Sequence, residues 1–289
     1  MTPEQNFLAR LSLQDKVWLE QLWQHAQRPP PTHWVRWCMS GGDTSVNLGF
    51  LSPARAHWLQ AHLRPLPKFH SGQMLWPSAH ADCTERSQWL GEILQLAHQQ
   101  DLVSGWRDEL YAWWPHPAIP PSMEHLPAFT AERAGFRHLG LLSHAVHIQG
   151  FLPHGDLWCA RRSMDKATDP GLLDNLAAGG LKAGENPLQS AVRELHEEAG
   201  LSIDSMRLAY RGSVRTCRAE PEGWHDERLL VFHLTLSQDE IPCNLDGEVQ
   251  NFECVTPGQW LERLRQQLFT ADAAAATVCG LGLTPPSIR

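Results

Sequence analysis

The 289-residue sequence predicts an α/β protein preceded by a smaller, mainly helical or α+β N-terminal domain. Three observations carry this. The second half interleaves short apolar runs of strand length with amphipathic helical segments. The first half holds three segments with apolar residues at three- and four-residue spacing. Tryptophan and proline usage also divides the chain. Ten of its 13 tryptophans lie before residue 115 (Trp18, Trp23, Trp34, Trp37, Trp58, Trp76, Trp89, Trp106, Trp113 and Trp114), and a proline-dense stretch follows from Pro115 to Pro127. Proline neither continues a helix nor donates to a central strand, so that stretch reads as a connector. The expected domains are residues 1–125 and 126–289.

Taken in order, residues 12–26, 52–63 and 87–100 read as helices. Residues 145–152 (AVHIQGFL) and 156–163 (DLWCARRS) read as two strands joined by a Pro-His-Gly turn. Residues 187–199 read as a helix, and 229–236 (LLVFHLTL) as a strand. Residues 257–269, with proline at the start, read as a helix. The alanine-rich stretch 270–278 reads as a further helix and the last residues as a loose tail.

Composition excludes several classes. Hydrophobic residues make up 42% and charged residues 19%, which is globular rather than disordered. A net charge of −8 and a pI near 6.0 argue against a nucleic-acid partner, whose backbone calls for Lys and Arg. No apolar run approaches the ~18 residues of a membrane span. The N-terminal residues show no basic region followed by an apolar one, so no signal peptide is expected. The seven cysteines are odd in number, scattered and never spaced CxxC, which suits neither a disulfide framework nor a zinc site. A cytoplasmic location is expected.

The chemistry concentrates in residues 179–201, GGLKAGENPLQSAVRELHEEAGL. Asn186 is a good N-cap, Pro187 suits the first helical position, and Gln189 completes a capping box. Leu188, Ala191, Val192, Leu195 and Ala199 form an apolar stripe, and Gly200 ends the helix. Glu194, Glu197 and Glu198 then share one turn face at i, i+3 and i+4. Three like charges so placed destabilise a bare helix, whereas hard oxygen ligands suit Mg²⁺ or Mn²⁺. Arg193 can pair with Glu197 at i, i+4. A charge run of this kind is most often a solvated helix face. The spacing to Gly179, Glu185 and Gly200 argues otherwise.

These residues satisfy the Nudix signature, G-x5-E-x7-R-E-U-x-E-E-x-G-U with U aliphatic, at Gly179, Glu185, Arg193, Glu194, Leu195, Glu197, Glu198, Gly200 and Leu201. A chance match is on the order of one in ten million at ordinary residue frequencies. The sequence thus resembles the Nudix superfamily. The resemblance implies an α/β/α sandwich around a mixed sheet. Glu194, Glu197 and Glu198, with Gly179, would hold Mg²⁺ or Mn²⁺ and carry the catalysis. Glu185, Arg193 and Gly200 would shape the box. The runs at 105–114, 131–151, 160–180 and 246–255 further resemble the thiamine-pyrophosphokinase-associated Nudix proteins. Those act on thiamine diphosphate and its oxidised analogues, leaving the monophosphate.

The same region resembles isopentenyl diphosphate isomerases, whose R-S-x-x-K run matches Arg162, Ser163 and Lys166. That likeness implies a diphosphate-binding role for Arg162 and Lys166, against the alternative of ordinary surface cations. The cysteine of that branch is replaced here by the Ala177–Ala178 stretch, and the hydrolytic box is complete, which argues against isomerase activity. Glu248, downstream of the box, is a candidate base or further ligand, against a plain turn residue. His196 is expected to face solvent, and His225 and Asp226 are candidates for the entrance. The tryptophans could stack on a cationic ring, but core packing is the commoner role.

The function expected is metal-dependent hydrolysis of a small-molecule organic diphosphate, most of all thiamine diphosphate or its oxidised analogues. The alternatives are another nucleoside-diphosphate-type substrate, such as ADP-ribose or a nucleotide sugar, and a non-catalytic ligand-binding module. The complete box disfavours the last. No membrane or nucleic-acid partner is expected, and assembly as a homodimer is left open.

Overall fold

The computed structural model describes residues 1–41, 44–115 and 126–284. Most of the proline-dense stretch and all but the first residue of the TPPSIR tail fall outside the described residues.

The elements, in chain order, are α1 (Pro3–Ala9), α2 (Leu13–Leu22), β1 (Val35–Gly41), β2 (Thr44–Leu51), α3 (Pro53–His62), β3 (Lys68–His70), β4 (Gln73–Trp76), α4 (Cys83–Gln99), β5 (Leu110–Trp113), β6 (Phe129–Glu132), α5 (Arg133–Leu139), β7 (Ser143–Phe151), β8 (Leu157–Arg162), β9 (Leu173–Asp174), β10 (Ala177–Gly180), α6 (Pro187–Ala199), β11 (Ala209–Glu220), β12 (Gly223–Thr235), β13 (Val249–Val255), α7 (Pro257–Arg265) and α8 (Ala271–Gly280).

The main sheet runs β11-β12-β7-β8-β13, with β10 added on β7 and β9 on β8. It is mixed, because β12 and β7 are parallel while the other described pairs are antiparallel. Strand alternation builds the layers. From β12, Leu230, Phe232 and Leu234 pack with Ala191, Leu195 and Ala199 of α6. The alternate residues Leu229 and Val231 pack with Ala275, Ala276 and Cys279 of α8. The result is an α/β/α sandwich. The small side chains of α8 let it lie close on the sheet, with every residue from Ala273 to Gly280 buried.

The expected apolar stripe of α6 is narrower than its sequence suggests. Ala191, Leu195 and Ala199 are fully buried, but Leu188 is 41% exposed. Leu188 lines an open hollow beside the helix instead of joining the core beneath it. The helix running from Pro257 also ends earlier than expected, at Arg265, since Gln267 takes a positive φ of 57°.

In the first half, helices α2, α3 and α4 lie where expected and four strands join them in the order β2-β1-β4-β3, so of the two alternatives for this part the α+β one holds. Its core gathers Trp37, Trp76, Leu59, Leu63 and Leu94 and takes in Phe129 and Phe136 from later in the chain. Conversely, Phe7 of α1, Leu19 of α2 and Leu11 between them pack with Phe151, Leu157 and Trp260 of the second half. Strands β5 and β6 pair across the proline-dense stretch. Trp37, Trp76 and Trp113 are buried in the core, so packing accounts for them.

Candidate active site

Strand β10 pairs with β7 from Ala177↔Ile148 to Gly180↔Ala145, which delivers the chain to the mouth of a cleft of about 590 Å³. The chain then turns into α6. Asn186 caps the helix with a reciprocal capping box to Gln189, worth about 1 kcal/mol. Gly200 closes it in the left-handed conformation at φ 65°. The helix therefore starts and stops where the three glutamates fall on the cleft side.

Arg193 organises the loop and helix together. Its Nε and Nη2 donate to the two oxygens of Glu185 at 2.8 and 3.0 Å, a planar fork. Its Nη1 donates to Glu194 at 2.7 Å and Glu197 at 3.0 Å, and Nη2 also reaches the Gly180 carbonyl at 3.2 Å.

Glu194 and Glu198 are each 8% exposed. Glu198 accepts a hydrogen bond from the Ala178 amide at 2.9 Å. Burial pushes its carboxyl well above the usual range, and neighbouring Glu194 adds to the rise. Burial also raises Glu194, although Arg193 opposes it. Glu197 stands at the rim with its side chain 45% exposed. Gly179 is bare for a steric reason: a Cβ there would sit 2.0 Å from Glu194 Oε1.

The other sequence candidates line the same cleft. Lys166 pairs with Glu248. Burial would raise the Glu248 carboxyl, but Lys166, Arg107 and Arg133 hold it below the ordinary value. Arg162 is committed inside the protein, donating to Asp174 at 3.0 Å and to the Thr168 carbonyl at 3.0 Å. His225 and Asp226 are buried in the cleft wall rather than exposed at its entrance. His225 Nδ1 accepts from Arg137 at 3.1 Å, and Asp226 is forked by Arg215 at 2.6 Å. His225, Glu227 and Asp272 cluster closely enough to hold a cation, but Arg218 already donates to both oxygens of Asp272 at 3.0 and 3.2 Å. His196 is exposed. It faces a more open hollow of about 810 Å³ whose lining holds no carboxylate.

Sequence reasoning missed Arg107, Glu109, Tyr111, Arg133 and Lys182, all in the cleft lining. Four of them fall in the runs 105–114 and 131–151 that carried the family likeness, which flagged the segments but not the side chains.

A family model described as NUDIX domain matches residues 144–274. Nudix hydrolase 24, chloroplastic, from Arabidopsis thaliana is 30% identical over 198 residues, covering 67% of this chain and 53% of that protein. Nudix hydrolase 20, chloroplastic, from the same plant is 30% identical over 190 residues, covering 64% and 49%. The chain thus spans about half the length of these two relatives. Among solved structures, DR0079 from Deinococcus radiodurans aligns with a TM-score of 0.39 at 23% identity, covering 47% of this chain and 80% of that one. The glutamate box and the strands that present it fall within the residues 144–274 that the NUDIX domain model matches.

Proposed function

We propose that the chain is a metal-dependent diphosphatase. Water would add to one phosphorus of an organic diphosphate, and the bridging P–O bond would break to give the monophosphate and inorganic phosphate. The observation that carries the reading is the convergence of Glu194, Glu197 and Glu198 on one cleft, two of them buried. Buried carboxylates are costly unless a cation answers them. Arg193 answers Glu194, but Glu198 has no ion pair among the described residues. This all-oxygen donor set fits Mg²⁺ or Mn²⁺, with the Gly179 backbone as a further donor. Such an ion would supply Lewis-acid stabilisation to phosphate oxygens. The protein's own part is to hold Glu194 and Glu197 in place through Arg193 and to keep bulk water from competing around Glu194 and Glu198.

The substrate in this reading is thiamine diphosphate or its oxidised analogues. Support comes from the family likeness of residues 105–114, 131–151 and 160–180 and from Glu222 and Glu227 in the cleft lining, carboxylates suited to a cationic ring. The test compares kcat/KM for thiamine diphosphate, its oxidised analogues, ADP-ribose and nucleotide sugars, with phosphate release as the readout. The thiamine compounds are expected to lead. A preference of about tenfold or more for any nucleotide, roughly 1.4 kcal/mol of transition-state binding, rejects the thiamine assignment. A cytoplasmic setting belongs to the same reading, supported by seven cysteines none of which is in a disulfide among the described residues. Among the described residues, no helix is long and apolar enough to cross a membrane.

Arg162 and Lys166 are proposed as diphosphate contacts with different consequences. Lys166→Ala is expected to raise KM by about tenfold with kcat retained, the scale of one charge-assisted hydrogen bond. Arg162→Ala should also lower the melting temperature, because buried Asp174 loses its guanidinium partner. Wild-type kinetics in both variants would make them plain structural or surface cations.

A further inference from the structure

We infer that the segment preceding the NUDIX domain completes the active site, with Arg107 and Arg133 binding the phosphate oxygens of the substrate. The inference rests on the diphosphatase reading above and adds the groups that recognise the anion.

The first observation is a seam between β5 and the box loop. Tyr111 bridges Lys182 in antiparallel fashion, and the Ala183 amide donates to the Leu110 carbonyl at 2.8 Å. Gly180 is bare at this seam because a Cβ there would lie 1.5 Å from the Tyr111 hydroxyl oxygen. The box loop is thus shaped to receive a side chain from outside the domain.

The second observation is how the two arginines are presented. The buried Glu132 carboxylate accepts from the Arg107 and Glu109 amides, each at 3.1 Å, and so fixes the turn that carries Arg107. The Arg133 amide donates to the Glu109 carbonyl at 2.8 Å. The backbones are therefore anchored while the guanidiniums stay accessible, 56% exposed at Arg107 and 42% at Arg133. Their ion pairs are loose, 3.9 Å from Arg107 to Glu248 and 3.4 Å from Arg133 to Glu109. Both arginines line the cleft that holds the box glutamates.

Charge supplies the third argument. A diphosphate ester brings about three negative charges to a cleft that already holds the box carboxylates. One divalent cation leaves much of that charge unanswered, and planar guanidiniums are the side chains best matched to phosphate oxygens.

The experiment uses the full chain and its variants Arg107→Ala, Arg133→Ala, the double variant, and Arg107→Lys with Arg133→Lys. Binding of methylenediphosphonate with Mg²⁺ is measured by calorimetry, alongside KM and kcat for thiamine diphosphate and the melting temperature. Each alanine variant is expected to weaken Kd and raise KM by about tenfold, with kcat within about threefold and an unchanged melting temperature. The lysine variants should recover part of the affinity. Unchanged Kd in the double variant overturns the inference, with or without a fall in melting temperature. So does a wild-type chain that does not bind the diphosphonate at millimolar concentration. A chain that binds the diphosphonate through these arginines but hydrolyses no diphosphate upholds the anion site and refutes the hydrolytic reading instead.

Discussion

Glu198→Gln is expected to lower kcat by more than about a hundredfold while raising the melting temperature of the metal-free protein. The first effect is the scale of losing one preorganised charge at a phosphoryl-transfer site. The second follows from the cost of the carboxylate in its present surroundings. Glu198 is buried, lies beside Glu194 and has no ion pair among the described residues. Glutamine keeps an acceptor for the Ala178 amide and removes the charge. The pH dependence has a definite sign. A carboxyl whose folded pKa exceeds its unfolded value, about 4.3, binds more protons folded than unfolded between the two values. Metal-free wild type therefore gains stability on the variant as pH falls through that window, and the variant's advantage is greatest above it. Saturating Mg²⁺ should reverse the order, since the ion binds the folded wild type and stabilises it by mass action. Thermal denaturation with and without Mg²⁺, beside steady-state kinetics, checks each part. Near-normal turnover in the variant at saturating Mg²⁺ removes Glu198 from the chemistry.

Gly179→Ala is expected to lower kcat by about tenfold or more through sterics alone. The new Cβ would fall 2.0 Å from Glu194 Oε1 and 2.1 Å from its carboxyl carbon. Arg193 holds that carboxylate at 2.7 Å and the buried helix face limits retreat, so the donor set must shift. Overpacking of this kind costs about 1–3 kcal/mol in stability as well. Gly258→Ala is the matched control, because a Cβ there meets nothing within 4 Å. A Gly179→Ala protein with wild-type kcat would show that Glu194 tolerates displacement and does not act as placed.

How much of this was legible in the sequence depends on how local each signal is. Helix α6 was read to the residue because Asn186, Pro187, Gln189 and Gly200 each act within one turn of their own position. Strands β7 and β8 and their turn were legible for a similar reason: apolar runs flank a Pro-His-Gly turn. The N-terminal strands were not. β1 reads VRWCMSG, three consecutive buried residues between partly exposed ones, so period-2 alternation never shows. β11 carries Arg211, Arg215 and Arg218 and holds its place through pairing with β12 along nearly its whole length, a contact that its own composition does not announce.

The site divides the same way. The box glutamates come from one helix turn, so their spacing exposed them. Arg107 and Tyr111 reach the cleft from the segment that tryptophan and proline usage sets apart as the other domain, and Arg133 from just past that division. Nor does sequence separation reveal that Phe7 packs on Phe151 and Trp260 at ring distances of 5.9 and 5.5 Å. The expected division at residues 125 and 126 is retained as a proposal about chain organisation. The packing adds exchanges across it in both directions, with the first helices serving the sheet of the NUDIX domain and β6 and α5 serving the earlier core.

On this reading the three glutamates form a working divalent-cation site for diphosphate hydrolysis. Its most direct test is phosphate release from thiamine diphosphate and its oxidised analogues by the wild-type chain, titrated with Mg²⁺ and then with excess chelator, beside Glu198→Gln. Turnover is expected to rise to saturation with Mg²⁺, vanish on chelation, return when the ion is restored, and stay more than about a hundredfold lower in the variant at every Mg²⁺ concentration. Turnover indifferent to chelation, or equal in wild type and variant, would contradict it.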